Sequence, residues 1–139
     1  MKRLALLGAS GHGKVVADAA LAGEWDEVAF FDDAWPQRQR NGVWPVLGNS
    51  QALMARLQEF DGVLVSIGDC SVRWEKQQAL LAVGATLATV VHPAATVSRY
   101  AVLGVGTVVM AGAVVNIDAV VGQAGIVNTG ATVDHDCQL

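Results

Sequence analysis

The hydrophobic and polar positions of this chain follow two rules, one on either side of His92. From Met1 to Val91, short apolar runs alternate with amphipathic stretches. Arg3–Ala9, Val28–Asp32, Gly62–Gly68 and Thr86–Val91 read as strands, and Lys14–Ala22, Ser50–Phe60 and Ser71–Val83 as helices. Strands that alternate with helices make a parallel sheet with helices on its faces, joined by right-handed crossovers. Ala34–Pro45 interrupts the alternation. Its Pro36, Arg38, Arg40, Gly42 and Pro45 are polar or turn-forming, so it reads as a mobile excursion over the surface.

After Pro93 the period becomes six. Val91, Val97, Leu103, Val109, Val115, Val121, Val127, Val133 and Leu139 are all aliphatic, and four residues after each of the first eight stands a small side chain: Ala95, Ala101, Thr107, Ala113, Ala119, Gly125, Ala131 and Cys137. This repeat predicts a solenoid of short parallel strands, with the aliphatic residue pointing inward and the small one allowing a tight corner. It also accounts for Tyr100–Ile117, a charge-free stretch of eighteen residues that touches the lower limit for a membrane-spanning helix. Gly104, Gly106, Gly112 and the β-branched valines there are poor helix formers, so the stretch is solenoid wall. At the other end, Leu4–Leu7 behind Lys2 and Arg3 is too short for the apolar region of a signal peptide.

Composition narrows the function. With 139 residues, 53% hydrophobic and 16% charged, the chain is meant to bury most of itself, which excludes a disordered tail. Two distant cysteines, Cys70 and Cys137, give no disulfide framework or zinc cluster, so no metal site is expected and a reducing, cytoplasmic setting is the simplest reading. A net charge of -4 argues against nucleic acid as a partner, since the basic stripe that displaces counterions is missing. Any anionic ligand has to be held locally.

The candidate place is the loop Gly8-Ala9-Ser10-Gly11-His12-Gly13-Lys14, where a strand ends and a helix begins. Closely spaced backbone N–H groups and a helix dipole hold phosphate there without much positive charge. A tight turn that simply needs glycine is the alternative. Gly8, Gly11 and Gly13 do not reproduce the GxGxxG fingerprint, which disfavours an ordinary NAD site. Asp32 and Asp33 fall roughly where a Rossmann-like fold places the acid that hydrogen-bonds a ribose hydroxyl. Gly68 ends the third strand at the same sheet edge, with Arg73 as a supporting residue, and His12 is either a donor to the ligand or a solvated loop residue.

Joined to Ile67-Gly68-Asp69, His92-Pro93 and the run Asn128-Thr129-Gly130-Ala131-Thr132-Val133-Asp134-His135-Asp136, these motifs resemble the hexapeptide-repeat acyltransferases. Among them the chain looks like the sugar O- and N-acetyltransferases of the sialic acid O-acetyltransferase type, over essentially its whole length. The resemblance implies a Rossmann-like nucleotide-sugar-binding domain at 1–91 and part of a left-handed parallel β-helix, three hexads per coil, at 92–139. It implies acetyl-CoA as cosubstrate and a nucleotide-linked 4-amino-sugar as acceptor, with Ser10, Gly11, His12 and Gly13 at the phosphates or sugar and Asp32 and Asp33 nearer the nucleoside. It also implies a homotrimer with active sites between subunits, and Val105, Val108, Val114 and Val120 give faces of the repeat more apolar character than a lone exposed wall needs. Family members continue with further hexads that supply much of the acetyl-CoA site. The end at Leu139 therefore reads as a C-terminal truncation with weak or no activity.

The resemblance makes His135 the general base. It stands in the third place of its hexad, able to project outward, with Asp136 as orienting partner and Asp134 in reserve. A base titrating near neutrality is what a protonated sugar amine needs before it can attack a thioester. A sialic acid-type O-acetyltransferase and a catalytically silent nucleotide-sugar-binding module are the competing readings. Cys137 reads as a packed thiol, Cys70 as unreactive, and His92-Pro93 as the start of the solenoid. Asn116 and Asn128 read as an outward ladder or turn, with Asn128 also able to contact substrate.

Overall fold

The computed structural model describes residues 1–139, all of the chain. Strand β1 (Arg3–Leu7) lies at the centre of a parallel sheet between β2 (Glu27–Phe31) and β5 (Gly62–Val65), all in register along their apolar residues. Helices α1 (Gly11–Ala22), α2 (Ser50–Ala55) and α3 (Cys70–Ala82) complete this lobe, with a 3-10 turn at Leu57–Glu59 where the sequence suggested that α2 would continue. The strands are buried on both faces, as parallel sheets are. Leu4, Leu6, Phe30 and Leu64 face α1 in one core, and Ala5, Leu7, Phe31, Val63 and Val65 pack with Leu53 and Leu80 in the other.

Two segments depart from expectation. Thr86–Val91 is not one strand: Leu87 makes a single bridge to Val63, while β6 (Val90–Val91) already belongs to the solenoid. A continuous apolar run is the same in either setting, so periodicity cannot place the break. Ala34–Pro45 is a folded element, not a loose excursion. It contains the hairpin β3 (Arg40–Asn41) and β4 (Trp44–Pro45), and its buried Asn41 donates to the Ser10 carbonyl.

The remaining strands are β7 (Thr96–Val97), β8 (Val102–Leu103), β9 (Val108–Val109), β10 (Val114–Val115), β11 (Val120–Val121), β12 (Ile126–Val127) and β13 (Thr132–Val133). Each pairs in parallel with the strand eighteen residues away, so three hexads make one turn of a coil. Face one is β6-β9-β12, face two β7-β10-β13 and face three β8-β11, which Gln138 extends by a bridge to Val120. The second residue of each strand from β7 to β13 packs inward, and Val109, Val115, Val121, Val127 and Val133 fill the coil with Ala113 and Ala119, whereas Val91 and Leu139, at the two ends of the aliphatic series, are exposed. The hexad pattern is therefore the packing pattern, a parallel β-helix. The small hexad position does not bury Cys137, which is exposed at the end of the chain.

Each corner between Leu103 and Cys137 has one residue of left-handed backbone, again every six residues: Gly106, Gly112, Asp118, Ala124, Gly130 and Asp136, with φ between 57° and 77°. Glycine meets this at no steric cost and aspartate tolerates it, but alanine is strained there. Eighteen-residue turns also decide the asparagines. Asn116 and Asn128 are twelve residues apart and so sit on different corners, which rules out a ladder between them.

Face one is covered by the first lobe: outward-pointing Val90 and Val108, with Met110, share the core of Leu4, Leu6 and Val16. Val108 is thus an internal contact and not part of an open apolar wall. At the corner between faces three and one, fully buried Gln77 of α3 donates to the Val105 carbonyl. A Cβ on Gly106, whose φ is +77°, would overlap the Gln77 Oε1. Gly106→Ala is expected to cost about 2–4 kcal/mol, from left-handed strain plus overpacking against a buried amide. Thermal unfolding should fall by roughly 10 °C, and an unchanged melting temperature would contradict this packing.

Candidate functional site

Two groups of polar residues stand apart from the cores. The first surrounds the loop between β1 and α1. Ser10 caps α1 by accepting from the Gly13 N–H, and Gly13 is required by close approach, since a Cβ there would overlap the Gly8 carbonyl oxygen. Open space lies outside Gly11 and Gly68. Asp32 does not hang free at the strand end: its carboxylate accepts from the Ala9 N–H at 2.7 Å and the Ala34 N–H at 2.8 Å, which fastens the loop to the segment after β2. Asp33 accepts from Lys76 Nζ at 2.6 Å and from the Ser50 N–H at 2.8 Å. Partial burial pushes the Asp33 carboxyl up, but the hydrogen bonds from Lys76 and Ser50 outweigh it and bring its pKa down to about 2.

His12 is half-buried in this group, and its Nε2 is buried without a hydrogen-bond partner. Burial lowers its pKa, and the charge of Arg73 lowers it further, so both favour the neutral ring. Arg73, the buried cation of α3, donates to the carbonyls of Ile67 and Gly68 at 3.0 Å and of Ala124 at 2.8 Å. It braces the Gly68 loop against the coil. Ala124 is the strained alanine, held in its conformation with this guanidinium on its carbonyl.

The sequence reading missed Arg38, Asn41 and Lys76. Arg38 and Asn41 donate to the carbonyls of Ala9 and Ser10, one residue apart on the glycine loop. The cluster of Arg38, Arg40 and Gly42 between two prolines was the available signal, but turn chemistry does not reveal which surface a turn covers.

The second group lies at the corner between faces two and three, where the columns Ser98/Asn116/Asp134, Arg99/Ile117/His135 and Tyr100/Asp118/Asp136 stack. His135 is exposed, and its Nδ1 lies 2.8 Å from Asp136 Oδ2. Asp136 is one of the corner residues with left-handed backbone. The hydrogen bond to Asp136 raises the His135 pKa above the usual histidine value, helped by the charges of Asp136 and Asp134. With Nδ1 donating to the carboxylate, Nε2 is the basic nitrogen open to solvent. Asn128 lies on the preceding corner, one face away.

In a three-faced coil the corner between faces two and three is opposite face one, which carries the first lobe. The structure thus joins Ser10, Gly11, His12, Gly13, Asp32, Asp33, Gly68 and Arg73 in one neighbourhood and holds Asp134, His135 and Asp136 apart from it. No group of three or more His, Cys, Asp or Glu side chains converges as a metal site, and no helix is long and apolar enough to cross a membrane.

Comparison with known proteins defines the class. The acetyltransferase domain of PglB from Neisseria gonorrhoeae FA1090, solved with acetyl coenzyme A, is 41% identical and superposes with a TM-score of 0.91 over 99% of this chain and 66% of that one. PerB from Caulobacter crescentus, solved with CoA and GDP-perosamine, is 34% identical with a TM-score of 0.89 over 97% of this chain and 64% of that one. That enzyme has also been crystallised with the same ligands as two mutants of a single histidine. An α/β lobe fused to a β-helix is therefore the architecture of sugar acetyltransferases. The chain belongs to the PglD N-terminal domain family, which matches residues 3–80. UDP-N-acetylbacillosamine N-acetyltransferase of Bacillus subtilis (strain 168) is 36% identical over 110 residues, 77% of this chain and 50% of that enzyme. The chain thus spans half of this curated relative and just under two thirds of the two structures. These relatives give no specific support to the sialic acid O-acetyltransferase likeness.

Proposed function

We propose that the chain is the acceptor-binding and base-bearing part of an enzyme that transfers acetyl from acetyl-CoA to the amino group of a nucleotide-linked 4-amino-sugar. Residues 1–89 form the Rossmann-like nucleotide-sugar domain, and residues 90–139, which begin with the solenoid strand β6, form part of a left-handed β-helix. Ser10, Gly11, His12, Gly13 and Gly68 lie at the sugar or its phosphates, and Asp32 and Asp33 on the nucleoside side. Arg73 supports them by fixing the Gly68 loop, and Asn128 borders the acceptor. The enzyme works in the cytoplasm as a homotrimer.

The observation that carries this reading is the His135–Asp136 pair at 2.8 Å, exposed on a corner that its own lobe does not reach. A base so placed serves a sugar held by another copy. Face three supports an assembled state, since Val102 and Val120, with Tyr100 and Ile117 at its edge, form an exposed apolar strip beside that base. In the reaction the neutral amine attacks the thioester carbonyl that acetyl-CoA supplies, forming a C–N bond as the C–S bond breaks. His135 Nε2 takes the amine proton, the thiolate of CoA leaves, and Asp136 stabilises the imidazolium. Asp134 adds a weaker charge.

The pH dependence tests the pair. The base works when His135 is neutral, so kcat/KM should fall as pH drops through its pKa, at a value above the ordinary 6.5 because Asp136 raises it. Asp136→Asn removes that charge, so the acid limb should move to lower pH while kcat falls about tenfold or more through loss of ring orientation. An acid limb that stays in place would show that Asp136 does not set the base.

A further inference from the structure

Of the nine Lys and Arg residues, Lys2, Arg3, Arg56 and Lys76 pair with carboxylates, and Lys14, Arg38, Arg40, Arg73 and Arg99 do not. In a chain of net charge -4 an unpaired cation is not short of partners. Three of the five nevertheless gather at the glycine loop. Lys14 stands in the first turn of α1 against Gly42, Arg73 acts on His12 and Gly68, and Arg38 lies on Ala9. The unpartnered Nε2 of His12 lies in the same group.

Arg38 differs from Arg73 in being exposed, and it spends only one N–H on the protein, on the carbonyl of Ala9. Ala9 is thereby gripped from both ends by one segment, its N–H by Asp32 and its carbonyl by Arg38. The turn that aims Arg38 is itself closed by backbone bonds from Trp35 to Asp32 and from Arg38 to Ala34. A guanidinium presents five donors in a rigid fork. One N–H anchored on Ala9, the neighbour of Ser10 in the loop, leaves the other donors without protein partners, and paired donors of this kind match phosphate oxygens.

We propose that Arg38 binds the diphosphate of the nucleotide ligand and makes the glycine loop select nucleoside diphosphates over monophosphates. This rests on the reading of that loop as the nucleotide-sugar site. The hairpin β3–β4 and the turn before it are then part of the binding site, with Asn41 fixing the loop from below and Arg38 meeting the anion. Arg73, buried and with its N–H groups directed at three carbonyls and the Cys70 sulfur, shapes the site and is less free to do the same.

The test is calorimetric titration of the full chain with UDP, GDP and CDP, each against its monophosphate. In the wild type the preferred diphosphate should bind at least tenfold more tightly than its monophosphate. Arg38→Ala should lose about tenfold or more in diphosphate affinity while monophosphate affinity changes less than threefold, and Arg38→Lys should recover part of the loss. Melting temperatures measured alongside should stay close to wild type, because the side chain is exposed. If Arg38→Ala does not fold, Arg38→Lys decides: it keeps the charge and loses the fork, so the diphosphate preference should shrink. Undiminished diphosphate affinity, or equal weakening of mono- and diphosphate, overturns the role of Arg38 and leaves the nucleotide site standing. A wild-type chain that binds none of the six nucleotides overturns both.

Discussion

Replacement of His135 by alanine is expected to lower kcat by about a hundredfold to ten-thousandfold, the usual contribution of a positioned base, while nucleotide-sugar affinity stays within about threefold of wild type. The two quantities separate because of where the residues stand. His135 is on the coil corner opposite the face that carries its own lobe, and it touches neither the glycine loop nor any of the hydrophobic cores. Its exposed ring packs against nothing that the substitution would uncover, so melting temperature should be unaffected. The measurement needs steady-state turnover of acetyl-CoA with a nucleotide-linked 4-amino-sugar by an active enzyme carrying these residues, and titration of the same variant with the sugar nucleotide alone. Retained kcat would falsify the assignment of the base. Loss of sugar binding along with turnover would show that the corner acts in substrate capture.

Much of this arrangement is legible from residue order, and what is not follows from the range of the interactions. The solenoid can be read because each hexad solves its packing locally: an aliphatic residue every six positions is both the pattern and the cause of the coil. Three hexads per turn, by contrast, came from family resemblance, since pairing between residues eighteen apart leaves no mark on the spacing. The His135–Asp136 contact joins neighbours in the chain and is visible for that reason. Asp33 and Lys76 are 43 positions apart and Arg38 and Ala9 are 29 apart, and neither pair shares a pattern that would announce it. Asp32 shows a subtler failure. It stands at the strand end where an acid was expected, yet its carboxylate is engaged by two backbone N–H groups. Position was readable, but occupancy was not. Ala124 is the least foreseeable from its residue type, because alanine gives no sign of left-handed backbone and only its place in the six-residue series of corners marks it.

Arg73→Met is expected to destabilise the fold more than Gly106→Ala does, and to change the glycine loop as well. Methionine fills a similar volume, so packing is largely kept while the donors vanish. The carbonyls of Ala124, Ile67 and Gly68 then lose their partner, the first in a buried position. An orphaned buried polar group costs about 1–3 kcal/mol, and partial access of water to the other two keeps the total at roughly 3–5 kcal/mol. A fall in melting temperature of at least about 10 °C follows for a chain of this length. A purely structural role would end there. Arg73 also helps to hold His12 below the ordinary histidine pKa, acting after burial in the same direction. Removing its charge should therefore raise the His12 pKa, followed by NMR titration of the ring under conditions where the variant remains folded. Arg73→Lys keeps a charge near His12 but cannot reach three carbonyls at once, so it should lose stability while leaving His12 depressed. A variant in which stability drops and His12 titrates as before would assign Arg73 to bracing alone, with no electrostatic part in the loop beside it.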